Sequence, residues 1–215
     1  MSSLDEAETL GERFIRELAD HMMRKYHERH EELRKRLGGD VDELYFVHEL
    51  CECRRKRLMR KLYPELELAR LFEPQIMLGE LVHVAVESLT QSQHEVLKHK
   101  TLEEDGKKVR IVGTIDIYHP ESETVVEVKY ARKLDSDTPL EHHKLQASLY
   151  AWLANAKTAE IWYITPEGIR TYYQIEPINE NDVKTLIKNL KIPMWPKWEC
   201  RYCQYINVCG ANSRF

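Results

Sequence analysis

Three charged side chains stand in a stretch otherwise suited to the interior of a sheet. Residues 111–130 read IVGTIDIYHPESETVVEVKY. Two β-rich runs, 111–118 and 125–130, flank a polar turn that contains Pro120. The first run carries Asp116, and the second carries Glu127 and Lys129 among valines. Ionised groups inside such a sheet are costly unless they are paired or hold a metal. A carboxylate pair can bind Mg²⁺ or Mn²⁺, which polarises a phosphoryl oxygen and lowers the pKa of a bound water. A neighbouring lysine can stabilise charge building on a phosphate.

The hairpin geometry brings the three together. A loop over 119–124 places Asp116 directly opposite Glu127. Alternation along the strand puts Lys129 on the face of Glu127 and turns Val128 away. Like charges facing each other destabilise a sheet, and a divalent cation between them removes that cost. The plainer reading is a surface hairpin with ordinary charges.

A second set of chemically active groups is Cys200-x2-Cys203-x5-Cys209. Three thiols need a fourth ligand for a four-coordinate site, and Cys51 and Cys53 are the other two of the five cysteines. Such a set holds Zn²⁺ or an iron–sulfur cluster. Spacing leaves the two open. Either would be structural and would tie the two ends of the chain together, so that its loss should unfold them.

The elements that position these groups follow from periodicity. Residues 4–37 read as one long polar helix with Leu10, Phe14, Leu18 and Met22 at four-residue spacing. So narrow a stripe packs against one neighbour, in the same chain or another subunit, which leaves a homo-oligomer open. A second helix is expected over 42–63, ended by Pro64. It contains the basic run Arg54, Arg55, Lys56, Arg57 through Lys61, read as a solvated face or as a strip tracking a phosphate backbone. Residues 75–90 suggest a mostly buried helix with His83 near its middle, where a core histidine and a ligand are both open. A strand, a Glu-Asp-Gly turn and the central hairpin follow, then a link of mobile character, ARKLDSDTP. A helix over 140–156 places Gln146 and Tyr150 on one face. A further hairpin, a helix over 180–190 and a tail with Trp195 and Trp198 complete the order. The tryptophans read as core or cover for the thiol site, or as stacking platforms for bases. This order predicts an α/β fold with a mixed central sheet between helices. The expected division is a helical extension over 1–40 and one larger domain over 41–215, closed by the thiol site from both of its ends.

Composition narrows the function. The net charge is −4, so nucleic-acid binding must come from a local patch. No run reaches the length of a membrane span, and the charged start MSSLDEAETLGERF does not read as a signal peptide. A cytoplasmic location and no membrane partner are expected, and metal or cluster ligation suits the cysteines better than disulfides there.

The hairpin, preceded by Gly79-x3-His83 and followed by Gln146-x3-Tyr150, resembles a RecB-type PD-(D/E)xK nuclease with its restriction-endonuclease-like core. With one upstream cysteine and the C-terminal three, residues 45–210 more closely resemble the CRISPR-associated exonuclease Cas-four family. The resemblance implies a [4Fe–4S] cluster on Cys200, Cys203, Cys209 and Cys53, with Cys51 as the alternate. It implies Mn²⁺ or Mg²⁺ on His83, Asp116, Glu127 and the backbone carbonyl of Val128. Lys129 would be the catalytic lysine, and Gln146 and Tyr150 would contact DNA or support that lysine. It further implies cleavage of single-stranded DNA from the 5′ end, and processing of new spacers for the CRISPR integrase. The alternatives are a RecB-like repair nuclease outside CRISPR, and a non-catalytic zinc-containing DNA-binding module.

Overall fold

The computed structural model describes residues 8–134, 137–189 and 192–210. The predicted bounds 4–7 and Leu190, and Asp135 and Ser136 of the predicted link, lie outside them.

The N-terminal helix opens with a capping box: the Thr9 hydroxyl accepts from Glu12 N, and the Glu12 carboxylate accepts from Thr9 N. It runs as α1 (Leu10–His27), a π-helical turn (Glu28–Glu32) and α2 (Leu33–Gly38). The expected single α-helix is therefore interrupted by a wider turn. Only the second half of its apolar stripe packs: Leu18 and Met22 are buried, whereas Leu10 and Phe14 are exposed.

The expected helix over 42–63 is replaced by three elements. Strand β1 (Glu43–Phe46) comes first, then a single turn α3 (Val47–Leu50), then α4 (Arg54–Leu62). Leu44, Tyr45 and Phe46 are all buried, so β1 has no polar face and no alternation to announce it. Two helices follow, α5 (Pro64–Leu71) and α6 (Pro74–Leu89), each with a proline in its first turn, where the missing N–H costs nothing. Contrary to expectation, α6 buries no residue fully: Leu78, Leu81, Val84 and Leu89 are exposed.

Next come β2 (Gln93–Glu104), β3 (Lys107–His119) and β4 (Thr124–Tyr130). The β2–β3 turn is Asp105-Gly106, with φ of 49° and 74°, as a tight hairpin requires. Then follow α7 (Glu141–Ala154), β5 (Thr158–Thr165), β6 (Gly168–Ile175) and α8 (Glu180–Lys188). Asn155, in the left-handed region, ends α7.

The six strands form one mixed sheet in the order β1-β3-β4-β5-β6, with β2 on the other edge of β3. The expected mixed α/β fold, a sheet between helices, is what is observed. The larger core lies on the α7 side, where Ala147, Leu149, Ala151 and Leu153 meet Ile111, Ile161 and Tyr163. On the other side α2 covers Leu44, Phe46 and Val112, and α6 covers Ile117, Val126 and Val128.

The organisation around β3 decides where chemistry can occur. β1 pairs in parallel with residues 109–112 of β3, and β4 pairs antiparallel with residues 117–119. Both use the same edge, because β2 occupies the other. Between them, residues 113–116 have no strand partner on that edge among the described ladders. The sheet forks there, and Asp116 stands in the fork.

Candidate active site

The β3–β4 register is the anticipated one, with Ile117 opposite Val126 and His119 opposite Thr124. One step further sets Asp116 against Glu127. The ladder itself stops short of this pair: Val128 N–H donates to Asp116 Oδ2 at 2.8 Å. A side chain thus replaces a backbone acceptor, which pins the carboxylate in the fork.

Glu127 lies beside it, only 2 % exposed. Lys129 Nζ pairs with Glu127 Oε1, while Glu127 Oε2 is buried without a hydrogen-bond partner. Burial pushes the Glu127 carboxyl up to about 8; Lys129 opposes this and Asp116 adds to it. Burial alone would lower Lys129, but the two carboxylates hold it above its usual value. Lys129 is thus one cation beside two carboxyl groups, and it pairs with one oxygen of Glu127. An orphaned carboxylate oxygen facing a second carboxylate is an environment that a cation would relieve.

His83, from α6, brings Nδ1 to 3.6 Å from Asp116 Oδ1. Its pKa is lowered, chiefly by burial, so the imidazole stays neutral, the form in which histidine binds metals. From α7, Gln146 Nε2 donates to Tyr150 Oη at 3.2 Å, and Tyr150 is buried next to the fork. Gly113 makes this approach feasible: a Cβ there would lie 2.6 Å from Tyr150 Cε1. His83, Asp116, Glu127, Lys129, Gln146 and Tyr150 are thus gathered from two strands and two helices. Of Val128, the site uses the N–H. Among the described residues, no three His, Cys, Asp or Glu side chains already stand as a closed metal-binding set.

The thiols gather elsewhere. Cys53, Cys200, Cys203 and Cys209 line one small cavity of about 30 Å³, with Arg55 and Lys56 at its wall. Cys51 does not line it. It faces instead a polar cavity of about 380 Å³ that also touches His142, His143, Gln146 and Glu199. Burial raises the Cys53 thiol to about 11. Four sulfurs around one cavity are the donor set of a tetrahedral zinc site or a cubane cluster.

A model of the PD-(D/E)XK nuclease superfamily matches residues 3–210. Over 177 residues the chain is 30% identical to the CRISPR-associated exonuclease Cas4 of Saccharolobus solfataricus, covering 78% of this chain and 87% of that protein. The chain belongs to the Cas4 exonuclease family of PD-(D/E)XK nucleases. The crystal structure of SSO0001 superposes with a TM-score of 0.78 at 28% identity, over 92% of this chain and 96% of that one. The family match reaches across the N-terminal helix, which the resemblance over 45–210 did not include. Among the described residues no helix is long and apolar enough to cross a membrane.

The basic run of α4 does not form an exposed strip. Arg54 donates to the carbonyls of Leu186 and Ile187 and stacks over Tyr45, as does Arg57. Arg55 donates to Cys209 O, and Lys56 sits between Glu52 and Glu199. The run spends its charge docking α8 and the tail. Sequence reasoning also missed Glu199. Its buried carboxylate accepts from Cys53 N and from Trp195 N, while Trp195 Nε1 donates to Cys51 O at 2.8 Å. Trp198 stacks near His142, with 4.6 Å between ring centroids. These contacts latch the tail to the start of α4. A glutamate immediately before a ligand-type cysteine was the only signal, and it is a weak one.

Proposed function

We propose that the chain is a metal-dependent exonuclease that acts on single-stranded DNA from the 5′ end, with a structural [4Fe–4S] cluster, in CRISPR spacer acquisition. The observation that carries the catalytic part is the buried, unpartnered oxygen of Glu127 beside Asp116 and Lys129. Family membership and the name of the relative support the exonuclease and CRISPR parts. The four thiols around one cavity support the cluster, with Cys53 in preference to Cys51. The CRISPR integrase complex is the expected partner.

His83, Asp116, Glu127 and the backbone at Val128 would hold Mn²⁺ or Mg²⁺. The ion, when bound, supplies Lewis-acid polarisation of the scissile phosphate. Lys129 sets an ammonium next to Glu127, where it can stabilise charge developing on the phosphate. Asp116 is kept in place by the Val128 N–H. Tyr150 and Gln146 wall the site on the α7 side and orient groups that approach Lys129.

Asp116→Ala and Lys129→Ala are expected to abolish cleavage in Mn²⁺ or Mg²⁺ while the chain keeps its cluster. If purified Asp116→Ala cuts labelled single strands as fast as the parent, the site assignment is wrong. Anaerobic purification should give a brown protein, and Cys53→Ser, not Cys51→Ser, should lose the colour. A colourless protein containing zinc would overturn the cluster and leave the nuclease reading intact.

A further inference from the structure

We propose that the N-terminal helix roofs a groove that binds the sugar–phosphate backbone of the DNA strand as it reaches Asp116, with Arg29 as its phosphate contact. This rests on the nuclease reading of the Asp116–Glu127 site.

A groove of about 710 Å³ runs between the π-helical turn, α2, β2 and β3. Four cations line it, Lys25, Arg29, Lys35 and Arg36, against three carboxylates. A smaller adjoining cavity of about 100 Å³ shares Arg29 and Thr114 with the groove and ends on Tyr150. The groove therefore meets the fork at Thr114 and, through the smaller cavity, at Gly113 and Tyr150. Arg29 also lies on the π-helical turn, a feature that in helices recurs at functional positions.

The partner of these cations is informative. Glu95 pairs with Arg29, and with Lys25 at 2.7 Å. It sits where the β2–β3 register would place the neighbour of Asp116, between the His94–Ile117 and Val96–Ile115 pairs. The ladder skips that position, and Glu95 takes a φ of 48°, uncommon for a residue with a side chain. The Arg29–Glu95 pair is 38 % exposed on both sides, so water and incoming phosphates reach it. On α4 the cations instead hold backbone carbonyls and buried acids. Of the groove cations, Lys25 is more buried and also pairs with Glu80 at 2.6 Å, whereas Arg29 is half-exposed and pairs with Glu95. Glu95 holds Arg29 in the absence of DNA and yields it to a phosphate.

The test measures binding of a labelled oligothymidylate to the full chain in the Asp116→Ala background, with chelator, across a salt series. Arg29→Ala should weaken binding severalfold and reduce the slope of log affinity against log salt by about 0.7, the loss of one phosphate contact on a single strand. Arg29→Lys should restore most of the slope. Glu95→Gln should tighten binding, the opposite of what loss of a structural ion pair would do. An unchanged affinity and slope in Arg29→Ala overturns the groove, as does Glu95→Gln binding as weakly as Arg29→Ala. Cleavage surviving in Asp116→Ala would instead remove the site reading, and the two failures are read in separate assays.

Discussion

Gly113 and Gly79 offer a paired test of how the fold holds the site. Gly113 stands at the start of the fork, and a Cβ there would meet Tyr150 Cε1 at 2.6 Å and Leu153 Cδ1 at 2.9 Å. Both neighbours belong to the buried face of α7, which is packed on the sheet in the larger core and has little room to retreat. Gly113→Ala should gain about 0.5–1 kcal/mol from the smaller entropy of the unfolded chain. It should lose about 1–3 kcal/mol from overpacking, because contact distances near 3.5 Å are compressed by most of an ångström. The net expectation is a destabilisation of about 1–2 kcal/mol, or roughly 2–8 °C in melting temperature for a domain of this size.

Gly79 predicts the reverse. It lies within α6, where a Cβ would meet only Tyr130 Cβ, at 4.0 Å. Gly79→Ala should therefore stabilise the chain by up to about 1 kcal/mol, the helix-propensity difference. Denaturant titration with a common m-value is the assay, and single-turnover cleavage is the companion measurement. Gly113→Ala should also lose activity, since Tyr150 must move and carries Gln146 with it. A Gly113→Ala chain as stable as the parent would refute the claim that α7 is seated on a missing side chain. A Gly79→Ala chain that is stable but inactive would show that something other than protein approaches Gly79.

The polar cavity beside the tail makes stability depend on pH. Burial lowers His48 to about 3 and His143 to about 2, well below an unfolded histidine near 6.5. The unfolded chain therefore binds more protons below 6.5. Stability is complete above that pH and falls as pH drops toward the folded values, by up to about 1.4 kcal/mol per pH unit for each histidine. Between pH 7 and 5 this slope is opposed by Glu127, whose folded value of about 8 lies above its unfolded one, so the readout is a difference: His143→Gln should lose less stability than the parent as pH falls, and an identical pH dependence in the two would contradict the burial. Glu199→Ala strands the N–H groups of Cys53 and Trp195, at about 1–3 kcal/mol each when buried. Glu199→Gln keeps one acceptor and should cost less, with both read by denaturation of metal-free protein.

The hairpin was legible because its signal is local. A polar turn, β-branched runs and period-two alternation fix the register, and the register alone puts Asp116 across from Glu127. The turn itself is shorter than expected, since His119 and Thr124 already pair, but the sum of paired positions is unaltered. β1 was illegible for the opposite reason. Three successive buried residues carry no alternation, and the Val47–Leu50 turn directly after them reads as helix. The exposure of α6 was hidden too, because its apolar side chains outnumber those that find a partner in this chain. The basic run of α4 misled because sequence records charge and not its counter-charge: Glu52, Glu67 and Glu199 arrive from three separate segments.

The tail changes what the thiols should mean for stability. Sequence alone read the thiol site, whether it holds zinc or a cluster, as a tie between the two ends whose loss would unfold them. The structure adds ties of another kind: Glu199 to the Cys53 backbone, Trp195 to Cys51 O, and Tyr205 Oη to Glu67 at 2.7 Å. Arg54 adds a fourth at the end of α8. Several buried hydrogen bonds with a charged partner, at about 1.5–3 kcal/mol each, rival what a cross-link contributes by shortening a loop. The cysteine-bearing tail is therefore held to the start of α4 by these contacts as well as by whatever the four thiols carry. Replacing the thiols and disturbing the latch should then be separable perturbations, the first changing what the tail carries and the second changing whether the tail is there at all.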